Sequence, residues 1–325
     1  MQDRIRLTTD ALLGQAVGDA FGVPLEFLSR RKVRSIDPQE MLGADTKLTF
    51  YSDWGVRIPR GSWSDDTSMA LASMASFIGR QGAIDCEDQL RQFVRWWDDG
   101  AYCSLDHPFG LGGTVSDALQ RYRQGTPALE CGGRNVMDNG NGALMRILPF
   151  SLYCIFHQLP PAETAVVTGN GSAITHGHEI SRLCCFIWTE LLRSIAETAD
   201  TETAIDHVER MEYCQWFSAE AAEAVRFVTE KNIRSLSERD IGQTGYVVDT
   251  LYSALFSLCH ANSFEQAVRN AVLLGFDTDT AAAVTGTAAG MLYGTAGIPP
   301  RWLEQLKKKD MLEDMAKRFA LCFPQ

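Results

Sequence analysis

Two acidic blocks, far apart in the chain, constrain its fold more than any other feature. The first is Ser64-Asp65-Asp66-Thr67, just ahead of an Ala/Met-rich run. The second is Asp277-Thr278-Asp279-Thr280, preceded by Gly275-Phe276 and followed by an Ala-rich run. Each places two carboxylates and their neighbouring hydroxyls at a predicted helix start. Read alone, each block is a capping segment, because Ser, Asp and Thr are preferred N-caps and acids in a first turn complement the helix dipole. Read together, they predict that the chain closes on itself. Both runs begin with small residues that permit close approach. Four carboxylates brought together then repel one another: a like-charged contact at ~4 Å costs roughly 4 kcal/mol at an effective dielectric of ~20.

Such a cluster calls for a cation. Carboxylate and hydroxyl oxygens with no neighbouring Cys or His suit Mg²⁺ or Mn²⁺ rather than Zn²⁺, and neither block has EF-hand spacing. Asp65 and Asp66 are adjacent, so on a helix they point ~100° apart and can serve separate ions.

Between the blocks the pattern is helix, short break, helix. Thr8, Thr9 and Asp10 are candidate N-caps for a helix through Leu12 and Leu13. Leu90, Phe93, Val94 and Trp97 follow i, i+3, i+4, i+7, as do Ile180, Leu183, Cys184, Ile187 and Leu191. Leu251, Leu255 and Leu258 repeat the spacing, and Leu312, Met315 and Phe319 predict a last helix after Pro299-Pro300. Period-2 alternation bounded by turns is not found. The expectation is an all-α chain of a dozen or so helices, forming one compact domain over residues 1–325. Phe27 to Ser62 shows no firm helix and reads as a long binding loop or lid.

Composition narrows the function classes. A net charge of -11 with no basic stripe disfavours non-specific nucleic-acid binding. Hydrophobic residues make up 45% of the chain, enough for a sizeable core. The nine cysteines are scattered, without a C-x-x-C pair or a secretory h-region, which predicts reduced thiols and a cytoplasmic protein. No apolar run is long enough for a membrane span.

Other stretches offer chemistry. Glu26, flanked by Leu25 and Phe27, is a carboxylate less solvated than most, a candidate general acid/base; the alternative is a surface acid after a proline turn. Asp19, within a small-residue helix, reads as a structural hydrogen-bonder. Gly110-Leu111-Gly112-Gly113-Thr114 and Asp138-Asn139-Gly140-Asn141-Gly142 read as turns, or as amide-rich loops that could cradle a phosphate at a helix start. No strand precedes them, so neither is a Rossmann fingerprint. His176 and His178 diverge on a helix, which argues against zinc and leaves a ligand contact or a helix cap.

In their order, these pieces resemble the ADP-ribosylglycohydrolase family. The matching elements are G-x-x-x-G-D-A-x-G…E (Gly14 to Glu26), the acidic block Ser64 to Thr67, and G-x-G-x-T (Gly110 to Thr114). After them come N-G-x-x-M-R (Asn141 to Arg146), Thr175-His176, and G-x-D-T-D-T (Gly275 to Thr280). The resemblance implies an all-α fold with a binuclear cleft holding two Mg²⁺ or Mn²⁺. It implies metal ligands at Ser64, Asp65, Asp66, Asp277, Asp279 and Thr280. Glu26 and Asp138 match acids near the metals and the scissile ribose. Gly112, Thr114, Asn141, Gly142 and His176 would line the ADP-ribose cleft. Two positions depart from the family: Ser64 where Thr is usual, and Phe276 where Gly is common, which places a ring at the cleft.

The implied activity is metal-dependent removal of ADP-ribose from a modified protein, at an arginine N-glycosidic linkage, with ADP-ribose as product. The alternatives are hydrolysis of free ADP-ribose derivatives and a non-catalytic ADP-ribose-binding module. Retention of all four carboxylates argues against the latter.

Overall fold

The apolar periodicity folds into helices. A computed structural model describes residues 1–43, 58–242 and 244–323. Among them are sixteen α-helices and no strand. In order these are α1 (Gln2–Gly22), α2 (Arg30–Ile36), α3 (Asp65–Gly79), α4 (Cys86–Asp99), α5 (Gly113–Arg123) and α6 (Leu148–Phe156). There follow α7 (Pro161–Ala173), α8 (Glu179–Thr198), α9 (Thr201–Arg210), α10 (Ala219–Ala224) and α11 (Arg226–Thr229). The last five are α12 (Val247–Cys259), α13 (Phe264–Leu273), α14 (Thr278–Gly297), α15 (Pro300–Gln305) and α16 (Lys309–Leu321). No helix among the described residues is long and apolar enough to cross a membrane. One hydrophobic cluster draws on helices from α1 to α16.

At its centre α1 packs along α14. Gly14, Gly18 and Gly22 recur every four residues on α1; Gly14 faces Gly286 and Gly290 of α14, Gly18 faces Ala282 and Ala283, and Gly22 faces Thr278 and Asp279. A Cβ at Gly18 would stand 2.0 Å from the Ala282 carbonyl oxygen, and one at Gly14 would stand 2.2 Å from that of Gly286. The two backbones therefore touch directly, as only glycine permits. Thr278 Oγ1 donates to the Gly22 carbonyl (2.8 Å), tying the start of α14 to the end of α1.

Four expectations about elements need correction. First, Thr8, Thr9 and Asp10 lie inside α1, which begins at Gln2. The threonine hydroxyls donate to carbonyls one turn back, and Asp10 accepts from Thr295 N (2.8 Å) and Oγ1 (2.6 Å) where α14 kinks at Gly294. Second, α4 buries Leu90, Phe93 and Trp96, so its inward stripe runs through Trp96 and leaves Trp97 half-buried. Third, the chain after Pro299 makes two helices, α15 and α16, because Lys308 takes a left-handed turn between them. Fourth, the predicted loop from Phe27 to Ser62 contains α2, capped by Ser29 (its side chain accepts from Lys32 N). Its basic surface hides the single buried Val33 that would mark a core-facing stripe. The rest of that expectation, residues 44–57, falls outside the described residues.

The α1–α14 contact generates a test. Gly18→Ala should lower stability by about 2–3 kcal/mol in chemical denaturation, since the new methyl meets backbone that cannot yield without parting the helices.

Candidate active site

The acidic blocks meet because the glycine-faced helices carry them together. Asp65 and Asp66 form the first turn of α3, and Asp277 is the N-cap of α14 with Asp279 in its first turn. Asp19 of α1 organises the first block from below. Fully buried, it accepts from Ser64 N (2.8 Å), Thr67 N (3.1 Å) and Thr67 Oγ1 (2.7 Å). Burial pushes its pKa up to about 6, against the pull of those hydrogen bonds. Gln15, one turn earlier, donates to the carbonyls of Asp66 and Met145 (both 3.0 Å), joining α3 to the Asn141–Arg146 turn. Asp19 is thus the structural hydrogen-bonder expected of it.

A cleft of about 260 Å³ opens over these carboxylates. It is lined by Glu26, Asp65, Asp66, Asp277, Asp279 and Thr280, with Gly112, Thr114, Asn141, Gly142, His176 and Phe276. Ligand oxygens of Glu26, Asp277 and Asp279 lie within 4.8 Å of one another, close enough for one cation. Asp66 Oδ2 accepts from Ser64 Oγ (3.0 Å) and, at 3.5 Å, from Thr280 Oγ1, which links the two blocks directly. Asp66 Oδ1 and Asp279 Oδ1 are buried without a hydrogen-bond partner. Burial, and then the neighbouring carboxylates, hold Asp65, Asp66 and Asp279 well above the usual carboxylate range. Asp277 is raised by burial, opposed by the amide of Asn141. Asn141 Nδ2 donates to Asp277 and to Thr250 Oγ1 (2.9 Å).

The glycine turns also line the cleft. Gly112 is the N-cap of α5, so the first amides of that helix face the cleft. Gly110 has φ 90°, and a Cβ there would stand 2.2 Å from Asp65 Oδ1, so only glycine lets this turn lie against the acidic block. The second turn leads into a 3₁₀ turn, Leu144–Arg146, rather than straight into a helix. It is pinned by Asn141 N donating to the Gly245 carbonyl (2.9 Å) and by Val247 N donating to that of Asn139 (2.9 Å).

His176 lines the cleft from beneath, buried, with Nδ1 2.9 Å from Thr175 Oγ1. Burial first, and the nearby Arg146 guanidinium second, drive its pKa down to about 3. Its imidazole is therefore neutral at physiological pH. His178 is the helix cap, accepting from Ile180 N at the start of α8.

Two predicted site residues stand apart. The Ser64 hydroxyl points at Asp66, and Ser64 does not line the cleft. Asp138 does not line it either. Its carboxylate accepts from Asn135 N (2.8 Å) and Nδ2 (3.0 Å) in a capping box that closes the Val136–Asp138 turn. The spacing to Asn141 places Asp138 near the site in sequence, and the turn then commits its carboxylate to Asn135.

Sequence reasoning passed over Phe27 and Gly245, which also line the cleft. Gly245 contributes backbone, and nothing in its local sequence signals it. Phe27 carried one signal: it adjoins Glu26. Phe27 and Phe276 form an edge-to-face pair, with ring centroids 5.7 Å apart and planes at 83°. Phe27 N donates to the Phe276 carbonyl (2.6 Å), and Phe276 N donates to that of Leu28 (2.7 Å). Both hold positive φ, 61° and 67°. A bulky residue rarely adopts that conformation, which costs about 1–3 kcal/mol at each position.

With this geometry in place, similarity to known proteins becomes decisive. The ADP-ribosylglycohydrolase family profile matches residues 1–324. The chain belongs to the ADP-ribosylglycohydrolase family. Among curated relatives of this family, it is 30% identical over 319 residues to ADP-ribosylarginine hydrolase Tri1 of Pseudomonas putida (strain GB-1), covering 97% of this chain and 78% of that protein. It is 28% identical over 300 residues to ADP-ribosyl-[dinitrogen reductase] glycohydrolase of Rhodospirillum rubrum, covering 92% and 90%. A solved structure described as an ADP-ribosylglycohydrolase-related protein complex superposes with a TM-score of 0.78 at 28% identity, covering 99% of each chain.

The buried imidazole predicts a pH effect. A group held at about 3 when folded but near its ordinary 6.5 when unfolded favours the folded state above pH 6.5. That contribution is lost progressively as pH falls from about 6.5 toward 3. His176→Gln should therefore flatten the acid side of the stability profile, and the wild-type His176 ring resonances should not titrate by NMR between about pH 8 and 5.

Proposed function

We propose that this chain, acting as a single domain, is a metal-dependent hydrolase that removes ADP-ribose from modified arginine side chains of a protein. The observation that carries the reading is the charge of the cleft. Five carboxylates line it, and no lysine or arginine does among the described residues. A nucleotide diphosphate brought beside them is repelled unless cations intervene. The two partnerless carboxylate oxygens, Asp66 Oδ1 and Asp279 Oδ1, and the all-oxygen donor set fit Mg²⁺ or Mn²⁺. The names of the relatives, an ADP-ribosylarginine hydrolase among them, point to the same substrate.

In this reading Asp65, Asp66, Asp277, Asp279 and Thr280 hold two divalent ions, with Glu26 beside them. A divalent ion bound there supplies Lewis-acid polarisation of water and of ribose oxygens. Ser64 orients Asp66, and Asn141 orients Asp277. The amides at the start of α5 and the Asn141-Gly142 turn hold the diphosphate. His176, neutral, packs beneath that turn without adding charge. Glu26 takes a proton from the attacking water and passes it to the departing guanidine nitrogen, as the C1″–N bond breaks and the C1″–O bond forms. Asp138, committed to its turn, positions the Asn139–Gly142 segment.

Four outcomes test this. ADP-ribose should be released from arginine-modified protein with Mg²⁺ or Mn²⁺ and not with chelator; no release under either condition would sink the reading. Mn²⁺ alone should raise the melting temperature of the substrate-free protein. Asp279→Asn should raise the metal-free melting temperature by relieving repulsion, while cutting turnover at least about 100-fold. Glu26→Gln should lower kcat by about 10²- to 10⁴-fold with ADP-ribose affinity retained.

A further inference from the structure

We infer that Arg146 and Thr175 form a buried relay that fixes the His176 ring with its proton on Nε2, so that the cleft meets a neutral N–H donor. Arg146 and Thr175 act as positioning residues, and His176 is the group that meets the ligand. The relay rests on the proposed function only for the identity of that ligand, an oxygen of the ADP-ribose diphosphate.

Arg146 is costly to bury. Its side chain is fully buried, and no carboxylate pairs with it among the described residues. Its Nε and Nη1 have no hydrogen-bond partner. Apart from the face of Phe93, 4.8 Å from the guanidinium, its contact is Nη2 donating to Thr175 Oγ1 (2.6 Å). A buried charge without a counter-ion is strongly unfavourable, and groups kept in that state gather at functional sites.

That contact sets the direction of the next one. A guanidinium carries only donors, so Thr175 Oγ1 must accept from it. The hydroxyl then has its own proton to place, and Thr175 is fully buried. The acceptor within reach among the described residues is His176 Nδ1, at 2.9 Å. A proton on Nδ1 would leave the threonine O–H buried and unpaired, which is the expensive arrangement. Nδ1 is therefore the acceptor, and the proton of the neutral ring sits on Nε2. The Arg146 charge favours the same state by opposing a second proton on the ring.

The ring is held so as to present that nitrogen. His176 N donates to the Ser172 carbonyl (2.7 Å), and the His176 carbonyl accepts from Ser172 Oγ (2.8 Å), which fixes the backbone. A Cβ at Gly140 would stand 3.3 Å from Nε2, and one at Gly142 would stand 3.4 Å from it, so the glycine turn lies against this edge of the ring. Both glycines and His176 line the cleft, and Nε2 makes no hydrogen bond among the described residues. The donor is left for an acceptor atom of the ligand. A lone pair at Nε2 would repel a phosphate oxygen, and an imidazolium would repel cations from the acidic blocks; a neutral Nε2–H does neither.

Two-bond proton–nitrogen NMR spectra of the full-length chain read the tautomer directly, with His176 assigned by difference from His176→Gln. The wild type should show a pyridine-type Nδ1 and a pyrrole-type Nε2, and ADP-ribose should move the Nε2 resonances. Thr175→Val removes the hydroxyl at nearly constant shape. It should give a mixture of tautomers and weaken ADP-ribose binding, measured with Mg²⁺ present, by about 3- to 10-fold. Thr175→Ser, which keeps the hydroxyl, should restore the wild-type spectrum and affinity. A pyrrole-type Nδ1 in the wild type overturns the relay. So does a Thr175→Val variant that keeps both the Nε2–H tautomer and the affinity. ADP-ribose that binds the wild type without moving Nε2 overturns the role given to the donor. If Thr175→Val does not fold, the wild-type spectrum decides by itself. A wild type that releases no ADP-ribose from arginine fails the proposed function, while the tautomer still decides the relay.

Discussion

Everything in this molecule depends on how closely α1 approaches α14. Helices usually pack 8–10 Å apart because side chains separate them. Here Gly14 meets Gly286 and Gly290, Gly18 meets Ala282, and Gly22 meets Thr278 and Asp279, and backbone carbonyls lie where methyl groups would be. The consequence is chemical as well as mechanical. Asp19, on the same helix, reaches the first turn of α3, and the end of α1 abuts the start of α14. Two helix starts from distant parts of the chain thereby share one small volume.

That volume is electrostatically unfavourable in the bare protein. Buried carboxylates stand beside one another, and two of their oxygens have no hydrogen-bond donor. The surroundings add little positive charge. His176 is neutral, and the buried Arg146 guanidinium, bonded to Thr175 Oγ1 and set over the face of Phe93, does not line the cleft. The fold thus stores repulsion at the site and leaves its relief to ligands, the balance expected where function is favoured over local stability.

The helices were legible because their periodicity is local. The stripes through Ile180 to Leu191 and Leu312 to Phe319 are buried as their spacing predicts. The errors came where tertiary contacts override local signals. Thr8 and Asp10 look like caps, but their partners are a carbonyl one turn back and the distant Thr295. Short α2 carries only one buried residue, too little for a periodic pattern. Trp96 and Trp97 are indistinguishable in sequence, and only the packing of α4 buries the first.

For the site, the sequence alone determined the chemistry on offer: paired carboxylates with hydroxyls, glycine turns, and an acid between apolar neighbours, in an order that resembles one family. Composition and motif order carry that information because ligand type depends on residue type. Only the tertiary structure decided orientation. It turned Asp138 away into a capping box and set Ser64 behind Asp66. It brought Gly245 to the cleft and paired Phe27 with Phe276 across the break between two distant segments. Orientation depends on backbone dihedrals and on contacts between residues far apart in sequence, and no local pattern encodes those.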